Sequence, residues 1–117
     1  MREVRFIVHG NPISPATGYK DYNKFQYETE IFRQWKAAVA AAATSAYEST
    51  VPYAKSVKLQ VSFYFADSAD TALPISVIRH SMNGICYIDD SQIVRDYIVS
   101  SMDADRPRTE VRLVFVD

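Results

Sequence analysis

Cysteine is nearly absent from this chain of 117 residues: Cys86 stands alone, so no internal disulfide can form. Set between Ile85 and Tyr87, it reads as a small buried hydrophobe rather than a nucleophile. The two histidines, His9 and His80, are far apart and have no spaced Cys or His partner, which argues against a zinc site. With only three glycines the chain has no phosphate-binding glycine loop, and neither a nucleophile elbow nor a Ser-His-Asp signature is present. No apolar run approaches the ~18 residues needed to span a bilayer, and Met1-Arg2-Glu3-Val4 opens without the apolar stretch of a signal peptide. The expectation is a cytoplasmic protein that does not enter the membrane. Net charge is lacking too, thirteen Lys and Arg against fourteen Asp and Glu giving −1. Affinity for nucleic acid comes largely from neutralised phosphates. Either the cations are clustered by the fold, or nucleic acid is not the main partner.

What is present is enough apolar material for one core. Apolar residues make up 48% of the chain, and this length supports a single domain, residues 1–117. Residues Glu3 to His9 alternate, with Val4, Phe6 and Val8 on one face, which predicts a half-buried strand. Gly10, Pro12, Pro15 and Gly18 mark the segment Gly10 to Asn23 as a loop. Helical periodicity then places Ile31, Trp35, Ala38 or Val39, and Ala42 on one face of a long helix from about Lys24 to Tyr47. Its Ala37 to Ala43 half has little bulk and admits a close neighbour, either the sheet or a second copy. Val57, Leu59, Val61, Phe63 and Phe65 alternate with polar partners in a second strand. A short helix to about Met82 follows, with Pro74 tolerated in its first turn and Asn83-Gly84 ending it. Gln92 to Ser101 and Thr109 to Val116 read as strands joined by a turn over Asp103 to Pro107. The order β-α-β-α-β-β gives an α+β domain, a mixed or antiparallel sheet packed by one long and one short helix.

The chemistry concentrates in Asn83-Gly84-Ile85-Cys86-Tyr87-Ile88-Asp89-Asp90-Ser91-Gln92, where a glycine turn delivers adjacent acids into a β-branched run. A short helix, Asn-Gly, and Asp-Asp-Ser-Gln leading into a strand resemble the RusA family of Holliday-junction resolvases. His9-Gly10-Asn11-Pro12 is similar to the family's opening as well. The resemblance implies a RusA-like domain of bacterial or phage-like origin, a homodimer that cuts branched DNA with Mg²⁺ in recombination and repair. It implies that Asp70 and Asp90 are metal ligands and catalytic, with Asp89 in support. The family's Asp-x-Asp-Asn-x-x-Lys, counted back without gaps from Asn83, falls on Asp70-Thr71-Ala72-Leu73-Pro74-Ile75-Ser76. Ala72 replaces an acid and Ser76 the lysine. Methyl cannot bind a metal, and a neutral hydroxyl does not stabilise charge building on a phosphate. Asp67 with Asp70 would make a displaced carboxylate pair if the loop is remodelled.

Three further readings stay open from the residues alone. Arg79, one turn beyond Ser76, either reaches toward DNA in place of the lysine or is a solvated surface arginine. Leu73-Pro74-Ile75 either packs under its helix or forms a protein-binding face. Lys20, Lys24, Arg33 and Lys36 either track phosphates or lie on a solvated face, the interspersed Asp21, Glu28 and Glu30 favouring the latter. Two functions follow: a junction endonuclease with lost or strongly reduced cleavage, or a non-catalytic homologue that binds a protein or weakly binds branched DNA.

Overall fold

A strand with strict period-two burial dominates the molecule, and the rest of the chain packs around it. In the computed structural model, which describes residues 2–13, 19–22, 25–67 and 73–117 (19–22 and 25–28 by backbone only), this is β4, Val57–Phe65. Its apolar residues Val57, Leu59, Val61, Phe63 and Phe65 are all buried, and Lys58, Gln60, Ser62 and Tyr64 point to the opposite face. β4 lies between β5 (Ile93–Met102), which it pairs in parallel, and β6 (Arg108–Phe115), which it pairs antiparallel; β6 in turn pairs with β1 (Glu3–His9). The four-stranded mixed sheet thus has the order β1-β6-β4-β5. Parallel neighbours cannot be joined by a tight hairpin. The crossover from β4 to β5 contains α2, Ile75–Ser81, and the turn that carries the two acids.

The long helix α1 spans Glu30–Ala46, six residues shorter at its start than the sequence predicts. Phe25–Glu28 is instead a strand, β3, paired antiparallel with β2, Tyr19–Tyr22, inside the segment expected to be loop. The physical reason is local: short runs rich in Tyr and Phe flank Asn23, and aromatic residues prefer strands. Helix α1 begins at Thr29, whose hydroxyl accepts from the Phe32 N–H at 3.2 Å. Its buried stripe is Phe32, Trp35, Val39 and Ala43, and Ile31 is 64% exposed. The stripe is rotated by one residue from the expected Ile31–Ala42 face, and of the alanines 37–43 only Ala43 is fully buried. It packs toward β1, whose Val4, Phe6 and Val8 face the core.

Both helices touch each other, and α2 contributes Ile78 to the same core. Beyond α2, Gly84 takes φ +76°, the left-handed conformation expected after the helix. Main-chain hydrogen bonds from Ile85 and Cys86 to the Met82 carbonyl then fold the chain into a tight turn that buries Cys86 and Tyr87. The element order of main sheet and helices is β-α-β-α-β-β, an α+β domain with the β2–β3 hairpin added. No helix among the described residues is long and apolar enough to cross a membrane.

Candidate functional site

The two acids of the turn are held by hydrogen bonds that their own neighbours supply. Asp89 caps a single 3-10 turn, Asp90–Gln92, its Oδ2 accepting from the Ser91 N–H at 2.9 Å. Gln92 reaches back so that its Oε1 accepts from the Ile88 and Asp89 N–H groups, both at 2.9 Å. Its Nε2 donates to the carbonyls of Tyr53 and Lys55, both at 2.7 Å. Asp89-x-x-Gln92 is therefore a capping box. One glutamine side chain with four hydrogen bonds pins the turn to the segment preceding β4.

Asp90 is placed differently. Its side chain is three-quarters buried, and its Oδ2 lies 3.0 Å from Nε2 of His80, the penultimate residue of α2. The preceding residue, Arg79, reaches Asp96 on β5 with Nη1 to Oδ2 at 3.2 Å, both groups about one-third exposed. The Tyr87 hydroxyl donates to the Arg79 carbonyl from beneath. Helix α2 is thus clamped at its C-terminal end by two acids from two different elements and one buried tyrosine.

The electrostatics follow from these contacts. Hydrogen bonds from Ser91, aided by the charge of His80, hold the Asp89 carboxyl below the usual range. Burial pushes the Tyr87 hydroxyl well above its ordinary value, and the nearby Asp90 charge adds to the effect. Burial alone pushes the Cys86 thiol up to about 11, which makes it inert at neutral pH and bears out its reading as a small hydrophobe.

These partners bear on metal binding. Magnesium needs several hard oxygen ligands in near-octahedral array. Asp89 is engaged in capping and Asp90 in a contact with His80, and no group of three or more His, Cys, Asp or Glu suited to a metal occurs among the described residues. Asp70 and Ala72 lie outside the described residues, so the Asp70–Asp90 and Asp67–Asp70 pairings lie outside them too. Ser76 is exposed on α2. The described residues alone do not compose a magnesium site.

Other expected residues find more ordinary places. Arg79 is about one-third exposed and paired with Asp96. Pro74 is fully buried, and Leu73 and Ile75 pack partly buried against the core. Arg33 pairs with Glu30 at 2.6 Å and the Lys36 ammonium sits 5.2 Å from the Phe32 ring centre, which makes both part of the helix surface. Lys24 and the Lys20 side chain lie outside the described residues.

Sequence reasoning missed Gln92 and His80. The Asp-x-x-Gln spacing was the available signal for the first. Nothing in the local pattern ties His80 to an acid ten residues away, because the turn between them makes the contact. The chain matches no protein-family model and no curated protein.

Proposed function

We propose that this chain is a RusA-like, branched-DNA-binding protein whose metal-dependent cleavage is lost or strongly reduced. The observation that supports this most is the 3.0 Å contact of His80 with Asp90. A carboxylate that the resemblance makes a metal ligand already has a partner, and a metal ion would have to displace it. The sequence adds Ala72 and Ser76 in place of an acid and a lysine, so a ligand and a charge stabiliser are both missing. On this reading magnesium binds weakly, the protein acts in the cytoplasm as a homodimer, and the turn retains its shape because capping, not metal, holds it.

Incubation of the protein with synthetic four-way junctions in Mg²⁺ or Mn²⁺ tests the proposal. The expected result is retarded but uncut junction. The combined variant Ala72→Asp, Ser76→Lys and His80→Ala is expected to gain metal-dependent cleavage. Robust cutting by the natural chain that vanishes in Asp90→Asn overturns the reading.

A further inference from the structure

The sheet has a second face, opposite the helices, and the register places its side chains in rows. One row crosses β1, β6, β4 and β5 through Arg5, Arg112, Gln60 and Tyr97; the next passes through Glu3, Val114, Lys58 and Arg95. Arg108 lies on the same face of β6, two register steps from Arg112. Among the described residues five Lys and Arg take strand positions on this face against Glu3 and Glu110, with Asp103 beside them at the end of β5. The cations of a nearly neutral chain are therefore clustered by the fold.

Within the cluster the partners are unevenly shared. Glu3 accepts from both Arg5 and Arg112, and Arg108 pairs with Asp103 and Glu110 while its guanidinium lies 3.9 Å from the Tyr64 ring centre. Lys58 and Arg95 are direct register partners, both exposed, and neither has an ion pair among the described residues. Like charges directly opposite one another in a sheet repel. Beside them Tyr97 stands 62% exposed, its ring uncovered by the fold. Arg5, Ile7, Gln60, Ser62, Glu110 and Arg112 line a shallow concavity that continues the row toward β1.

We propose that this open sheet face binds single-stranded DNA, with a phosphate between Lys58 and Arg95 and an unpaired base stacked on Tyr97. Charge complementarity selects a polyanion, and the exposed ring selects one with flat apolar groups. A duplex offers a flat sheet only sugars and phosphates, whereas a single strand offers its bases. Across four strands spaced about 4.8 Å apart the surface accommodates about two or three nucleotides. A second copy placed face to face would oppose cations to cations. The choice of DNA over RNA rests on the proposed function; the surface itself does not depend on junction cleavage.

Fluorescence anisotropy with labelled oligothymidylate, its duplex counterpart and oligouridylate tests this at several salt concentrations. The natural chain is expected to bind oligothymidylate in preference to both other probes. Lys58→Ala combined with Arg95→Ala is expected to reduce the log-log salt slope by about 0.7, the contribution of the one phosphate that the two cations share on a single strand. Tyr97→Ala is expected to weaken binding at least about fivefold, and Tyr97→Phe to restore it because the ring and not the hydroxyl stacks. Circular dichroism is expected to show the fold unchanged in each variant. Absent binding at low salt, binding that both variants leave intact, preference for oligouridylate, or binding only to anionic lipid vesicles overturns the proposal. A junction-cleavage result of either sign leaves these readouts untouched, so the two proposals fail separately.

Discussion

The acid turn and the open sheet face treat charge in opposite ways. In the turn and the strand after it, Asp89, Asp90 and Asp96 each have a named partner, supplied by Ser91, His80 and Arg79. On the open face two cations, Lys58 and Arg95, stand side by side with no ion pair among the described residues. The charges of Asp90 and Asp96, largely buried, must be compensated within the fold because desolvation is costly, whereas Asp89 is exposed and held by its capping role. Exposed charge carries no such requirement and remains available to a ligand. The contrast shows that a conspicuous acidic motif can be consumed by structure, whereas an inconspicuous alternation of Lys, Arg and Tyr on strands can assemble a surface.

The comparison is tested most severely at Tyr87, which closes the acid turn from below. It is fully buried and its hydroxyl supports Arg79. We expect Tyr87→Ala to cost about 3–5 kcal/mol, the usual range for truncating a buried aromatic. Tyr87→Phe, which leaves the Arg79 carbonyl without this donor, is expected to cost about 1 kcal/mol. Urea denaturation at constant m-value measures both. A near-neutral Tyr87→Ala would mean that the turn is not anchored through this residue.

Next in size is Gln92. Truncation to alanine removes two accepted and two donated hydrogen bonds and leaves backbone groups of Ile88, Asp89, Tyr53 and Lys55 to find water. The expected loss is about 2 kcal/mol, less than four independent bonds because the surroundings are partly exposed. Hydrogen exchange of the Ile88 and Asp89 amides should accelerate in the variant, while amides of β6 stay protected. Unchanged exchange at the turn would show that the capping box is dispensable.

Much of this contrast was legible beforehand, but unevenly. Strand β4 was plain because its alternation is unbroken for nine residues, and β1 and β6 for the same reason. The helix start was misplaced because helix formers continue N-terminally past Thr29, and only the aromatic residues around Asn23 signalled a hairpin. Asp89 and Asp90 were found as chemistry-bearing residues, yet their partners were not, since the Arg79–Asp96 and His80–Asp90 contacts depend on how the crossover folds. The cation rows were invisible in sequence for a related reason. Lys58, Arg95, Arg112 and Arg5 come from four strands, and register alone aligns them.

Acid should weaken both regions through the carboxyls that their partners hold low. Hydrogen bonds hold the Asp89 carboxyl below its ordinary 3.8, as ion pairs with Arg108 and with Arg112 hold Asp103 and Glu3 low. For a depressed carboxyl the unfolded state binds more protons, so its stabilisation is present above the ordinary value and is lost as pH falls through the depressed one. We expect melting temperature to be flat near neutrality and to fall steeply below about pH 4. Asp89→Asn, which still caps, should lessen the slope with little change at pH 7. An identical acid profile in that variant would remove Asp89 from the account.

The smallest effect is expected on the open face, and its sign is the informative part. Lys58 and Arg95 sit across one strand spacing, about 5 Å, and two unit charges at that distance in water repel by about 1 kcal/mol before screening. Arg95→Glu turns the repulsion into attraction with Lys58. We therefore expect this substitution to stabilise the fold by about 0.5 kcal/mol at low salt, within the range of cross-strand charge pairs. The gain should vanish near 1 M salt, where the screening length is about 3 Å. In the acid turn every substitution that removes a partner costs stability; here the supply of a partner adds it, and the same change should abolish oligothymidylate binding. Urea midpoints at low and high salt, set beside anisotropy on the same sample, read both consequences. If Arg95→Glu destabilises at low salt, the two cations are not in electrostatic conflict, and the reason to place a phosphate between them disappears.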